Sequence, residues 1–159
     1  LARVHIGALN GPAAIRHGLD WLLANACGLR VPLVHFHDAG EAGVGPHITP
    51  GIEAEQARDA LRLLLSLRRE GLRAPLPFAP HTGWEIHGAD PGKREDAARA
   101  KWYPGDFSWG ESTGEAIQLA FRGRDPLADA GGLASFVATS LRIYAALRGG
   151  RTDGGEGAA

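Results

Sequence analysis

The chain has 159 residues, with 17 basic and 18 acidic side chains and a formal net charge of −1. That length suits one domain able to bury roughly two-thirds of its unfolded surface, and 44% hydrophobic with 22% charged residues excludes a disordered or fibrous chain. Near-zero charge excludes coating of nucleic acid by bulk electrostatics; the single cysteine, Cys27, excludes an internal disulfide or an all-cysteine metal cluster.

The longest apolar stretch, around residues 21–29, is too short for a membrane span, and no basic run precedes an apolar one as a secretory leader requires. A start at Leu1 and the absence of Met predict a piece excised from a longer polypeptide. Fifteen Arg against two Lys, with 23 Gly, points to a GC-rich coding bias, so Arg spacing carries less weight than usual.

Residues 4–9 alternate weakly as a strand and stop at Asn10-Gly11-Pro12, which opens a helix over 13–26 with Ile15, Leu19, Leu22, Leu23 and Ala26 on one face. Residues 31–36 read as a short strand with Val31, Leu33, His35 and His37 on one face, which begins an α/β layer arrangement. Residues 38–50 read as a Gly-rich loop. The clearest helix runs from Thr49/Pro50, as N-cap and first turn, to Gly71, burying Ala57, Ala60, Leu61, Leu64 and Leu67. Residues 73–80 are too proline-rich for helix, and 84–87 read as a short strand.

The second half is helix-rich. A polar helix is predicted over 93–102, and Ser112-Thr-Gly-Glu115 has capping-box spacing ahead of Ile117, Leu119, Ala120 and Phe121. Leu133, Phe136, Val137, Leu141 and Tyr144 mark a strongly amphipathic closing helix. The domain is expected to span 1–148, with 149–159 a disordered tail that has nothing to bury.

Seven histidines stand out. His35 and His37 share a strand face, and His47 or Asp38 would complete a metal site for a metal-assisted hydrolase; the plainer reading is a polar strand edge. His81 and His87, flanking Trp84 and Glu85, suit packing and hydrogen bonding. Nucleophilic hydrolysis lacks a G-x-S-x-G, and Cys27 near a helix C-terminus is expected to be a buried structural thiol. The Gly-rich 40–45 segment has no Walker lysine. A PD-(D/E)xK nuclease needs an acid two residues before its lysine, but Pro91 and Arg99 stand there before Lys93 and Lys101. Arg58, Arg62, Arg69 and Arg73 form a stripe on the long helix, suited to phosphates or an acidic partner, or else to a solvated face paired with Glu55 and Asp59. Trp102, Tyr103, Phe107 and Trp109 lie in a Pro/Gly-containing stretch, suited to partner contact or base stacking if exposed, or to burial under neighbouring helices.

The run Leu19-Asp-Trp21-Leu-Leu-Ala-Asn-Ala-Cys-Gly28, then a strand, then an Ala/Leu helix ending Arg-Glu-Gly71-Leu-Arg-Ala-Pro75-Leu-Pro-Phe78, resembles the C-terminal region of the RecC family, gamma subunits of exodeoxyribonuclease V. Ala97-Ala-Arg-Ala-Lys-Trp102, Gly110-Glu111 and Phe121-Arg-Gly-Arg-Asp-Pro126 add to the likeness. The resemblance implies an α/β fold with a mixed sheet flanked by helices, a degenerate PD-(D/E)xK nuclease-like core that has lost catalysis. It implies a cytoplasmic, non-membrane domain that meets RecB, RecD and DNA in double-strand break repair and recombination. In that family the subunit holds the complex together, helps split duplex ends and passes the strand scanned for Chi. No cofactor is implied in this domain, with Mg²⁺ and ATP used elsewhere in the complex, and no catalytic residue is transferred. An interaction module without a DNA role remains the other alternative.

Overall fold

The computed structural model describes residues 1–150. Strand β1 (Ala2–Ala8) is followed by helix α1 (Gly11–Ala26), strand β2 (Leu33–Asp38), strand β3 (His47–Thr49), and helices α2 (Ala54–Gly71), α3 (Pro80–Gly88), α4 (Arg94–Trp102), α5 (Glu115–Phe121) and α6 (Ala130–Leu147). The three strands form one mixed sheet in the order β1-β2-β3. β1 runs parallel to β2, with Val4 beside Phe36. β3 returns antiparallel, with Val34 beside Ile48 and His35 beside His47. The segment read as one long loop is therefore a hairpin with a short 3-10 turn over Gly40–Ala42.

α1 begins where the sequence places it. Asn10 Oδ1 accepts from the Ala13 amide at 3.0 Å, and Pro12 sits in the first turn. At its far end Asn25 is fully buried: its amide donates to the Trp21 and Val31 carbonyls, and its oxygen accepts from Ile52 N–H at 3.1 Å. This side chain ties α1 to the segment before β2 and to the approach of α2, and burial without those partners would be costly.

Four expectations need correction. α2 starts at Ala54 with Glu53 as its cap, because Thr49 is used in β3 opposite Leu33 and Gly51 lies against the Arg30 carbonyl, where a Cβ would stand 2.7 Å away. Residues 84–87 are helix, not strand. Pro80 opens α3, and the buried Glu111 carboxylate accepts from the His81 and Thr82 amides at 3.0 and 2.6 Å. Ser112 lies in a 3-10 turn and caps nothing in α5, whose cap position is Gly114. Cys27 caps α1 and is exposed, since the chain leaves the helix through Gly28 at a φ of 84°.

The core is organised along α6. Leu133 and Phe136 pack with Ile86, Trp102, Phe121 and Leu127 at one end. Ile143, Tyr144 and Leu147 meet Leu67 in the middle. Ala146 joins Trp21, Leu22, Leu33 and Ala57 under the sheet. By length and composition α6, with a mean hydropathy of 1.3, is also the one helix among the described residues apolar enough to cross a bilayer, but its buried side chains are spent on this core. Of the tail expected from Gly149 onward, Gly149 accepts from Gln56 Nε2 at 2.6 Å and Gly150 donates to Ala145; the remainder lies outside the described residues.

Replacing Glu111 by Ala leaves two amides of α3 without an acceptor. We expect a loss of about 2–4 kcal/mol in urea unfolding, with Glu111→Gln losing less; a change within about 0.5 kcal/mol would contradict this role for the carboxylate.

Candidate functional site

The sheet has two unlike faces. Arg3 and His5 of β1, Leu33, His35 and His37 of β2, and His47 of β3 turn toward α1. Arg3 pairs with Asp20 of α1 at 2.6 Å. His17 of α1 places Nδ1 3.0 Å from His35 Nε2. The rings continue as a chain, His35 to His37 at 5.8 Å and His37 to His47 at 4.6 Å between centroids. Alternation with a period of two puts these side chains on one face, and the antiparallel return of β3 sets His47 beside them.

Burial lowers the pKa of three of these imidazoles, His17, His35 and His37. Burial, then the neighbouring His17, His37, His47 and Arg3, push His35 from its usual 6.5 down to about 4. His17 is lowered by burial and then by Arg3, and His37 by burial and then by His47. His37 Nδ1 and His47 Nε2 are buried without a hydrogen-bond partner among the described residues. Both residues border a cavity of about 340 Å³ whose wall includes Trp21, Trp84 and Tyr144. The three histidines singled out in sequence are thus brought together, yet among the described residues no three His, Cys, Asp or Glu side chains are placed to hold one metal ion. Asp38, the alternative third ligand, instead accepts from Gly40 N–H in the turn.

On the opposite face stand apolar side chains. Ile6 is 97% exposed, Val4 75% and Ile48 63%, with Phe36 and half-buried Val34 between them. β1 is also an edge strand, with no strand beside its outer edge among the described residues. Sequence reading noted the alternation but missed its polarity. The apolar positions of β1 and β2 were legible; that the histidines would face inward was not, because that depends on α1 packing against them.

The arginine stripe divides. Arg58 pairs with Glu55 at 2.9 Å, and Arg62 pairs with both Glu55 and Asp59. Hydrogen bonds from Arg58 and Arg62 hold the Glu55 carboxyl below its usual range. That half is the paired, solvated face. Arg69 at the end of α2 and Arg73 just beyond it are exposed and form no ion pair among the described residues.

The aromatic stretch divides as well. Trp102 is 2% exposed: it packs edge-on to Phe121 and Phe136 and donates to Asp125 at 3.0 Å, so it belongs to the core rather than a contact surface. Tyr103 donates to the same carboxylate at 2.6 Å and is partly exposed. Phe107 is fully exposed, and Trp109 is half exposed with Lys101 Nζ 6.0 Å from its ring and His81 against its edge. In α3 the His87 ring stacks on Trp84, which is the packing role expected there.

Compared with known proteins, residues 1–91 match the family model of the RecC C-terminal domain. That span contains the whole sheet, α1, α2 and α3. The likenesses noted at 97–102, 110–111 and 121–126 lie beyond it. No curated protein matches the chain.

Because His17, His35 and His37 are held neutral while unfolded histidine titrates near 6.5, the unfolded chain binds more protons as pH falls below 6.5. Stability contributed by these groups is therefore complete above that pH and declines toward pH 4. Urea midpoints measured from pH 7 to 4.5 should fall, and His35→Phe should flatten the decline; a midpoint that rises over this interval would contradict it.

Proposed function

Because the chain belongs to the RecC C-terminal domain family, we propose that it is a non-catalytic assembly domain of a RecBCD-type exodeoxyribonuclease V, making subunit and DNA contacts in double-strand break repair. It would act in the cytoplasm, on a nuclease-like body that no longer cuts, while ATP and Mg²⁺ serve chemistry elsewhere in the complex. The observation that carries this reading is the outward apolar face of the sheet. A free domain places such residues inside; here Val4, Ile6 and Ile48 stand in water beside an unpaired strand edge, an arrangement that invites cover by another subunit.

Loss of catalysis is supported by what occupies the inner strand positions. Imidazoles, those of His35, His37 and His47, occupy these positions rather than the carboxylates that a PD-(D/E)xK site needs, and Lys93 pairs with Asp90 on an exposed turn far along the chain from the sheet. DNA contact is supported by Arg69 and Arg73, exposed and without an ion pair among the described residues, and by Phe107 and Trp109, whose exposed rings suit stacking against bases.

In the assembled complex, Val4→Asp with Ile6→Asp should weaken association with the RecB- and RecD-type subunits at least tenfold, measured by co-purification and analytical ultracentrifugation. The isolated chain should melt as before, since both side chains are already in water. Unchanged assembly would remove the subunit-contact reading. Arg69→Glu with Arg73→Glu should lower forked-DNA affinity and reduce the salt slope by about 2. An unchanged slope favours the interaction module without a DNA role.

A further inference from the structure

We propose that the cavity under the inner face of the sheet binds a small, flat, uncharged heteroaromatic ring with hydrogen-bonding groups on its edge, the chemistry of a purine or pyrimidine base. The inference concerns the inner face and does not rest on the assembly reading, which concerns the outer one. At about 340 Å³ the cavity lies at the lower end of the range for small-molecule sites. Its apolar wall includes Trp21, Tyr144 and Leu147. The polar handles of the two aromatics are already used: Trp21 Nε1 donates to the Val31 carbonyl at 2.9 Å and the Tyr144 hydroxyl to the Pro80 carbonyl at 2.6 Å. Neither polar group is therefore free to bond a ligand.

The polar side of the cavity is the reverse. His37 Nδ1 and His47 Nε2 are buried and have no hydrogen-bond partner among the described residues. Buried polar atoms in native proteins are normally paired, and an orphan of this kind calls for a group to bond it. The two ring centroids lie 4.6 Å apart, so the imidazoles stand side by side on the cavity wall they share. Neutral imidazoles can each donate or accept according to tautomer, which suits an edge that presents both kinds of group, as a nucleobase does. A metal ion fits less well, since no third ligand converges among the described residues. An anion gains little from His37, whose pKa burial and then His47 lower, and Arg148, also on the wall, already has an interaction of its own.

The test is calorimetric titration of the whole chain with free adenine and free cytosine, alongside ¹⁵N NMR of the histidine rings. Saturable binding of either base is expected, with the His37 and His47 ring nitrogens shifting on addition. His37→Phe and His47→Phe should each weaken binding roughly five- to tenfold. If either variant fails to fold, the ring-nitrogen shifts in the unaltered protein decide the matter. A parallel arm uses six-residue single-stranded oligo-dA. Competition with adenine means that a strand can deliver the base; binding of adenine alone means that the free base is the ligand, and both support the site. Absence of saturable binding, binding unaltered in both folded variants, ring nitrogens that do not move, or stoichiometric zinc uptake at these histidines would overturn it.

Discussion

The meeting of α1, α3 and α6 at Gly11, Pro80 and Tyr144 is the contact on which the rest of the structure depends. The Tyr144 hydroxyl donates to the Pro80 carbonyl, and a side chain at Gly11 would run into both groups. Two turns further along α1, a Cβ at Gly18 would stand 2.9 Å from the Leu147 carbonyl. Two absent side chains thus let Pro80 of α3 and Leu147 of α6 close on α1 at backbone distance. Burial at this junction pushes the Tyr144 phenol up, so it remains a neutral donor. Close packing here joins the sheet to the helical second half through a helix that contributes to every part of the core.

Drawing α1 tight has a consequence for the sheet. α1 meets its inner face with His17 and Asp20 as well as with Trp21 and Leu22, so polar strand residues find partners there: Arg3 finds Asp20, and His35 finds His17. The layer beneath the sheet is then part apolar, around Leu33, and part imidazole. Strand alternation sends the complementary positions outward, and those positions hold Val4, Ile6, Phe36 and Ile48. An inward polar face and an outward apolar one are two results of a single register, because shifting either strand by one residue would exchange them. Family membership gives that outward face its context, since a RecC-type domain belongs to a multisubunit assembly.

How far the sequence could be read follows from how local each signal is. Helix α1 was legible because Asn10, Pro12 and the leucine spacing act within a turn or two, and α6 because its stripe repeats over its whole length. α3 was not legible: its start is capped by Glu111, 30 residues away, and the tryptophan and isoleucine within it imitate a strand. The start of α2 was misplaced for a related reason. Thr49 and Pro50 make a sound local helix opening, but pairing with Leu33 recruits Thr49 into β3. At the candidate site, the shared face of His35 and His37 was visible as strand spacing, whereas His47 arrives on a return strand inside a segment read as loop and His17 joins them only through packing. The arginine and aromatic sets were each read as one group and each divided, since the carboxylates that neutralise Arg58 and Arg62 are one turn away while the helices that bury Trp102 come from elsewhere in the chain.

The central claim is that the apolar side of this sheet exists to be covered. Hydrogen–deuterium exchange on the chain alone and within its assembled helicase–nuclease addresses that claim directly, since an edge strand exposes amides that a docked subunit would shield. The account predicts that amides of Ala2–Ala8 exchange at least tenfold more slowly in the assembly, while those of α6, already buried, change little. Equal exchange of β1 in the two states, with protection appearing elsewhere, would contradict it.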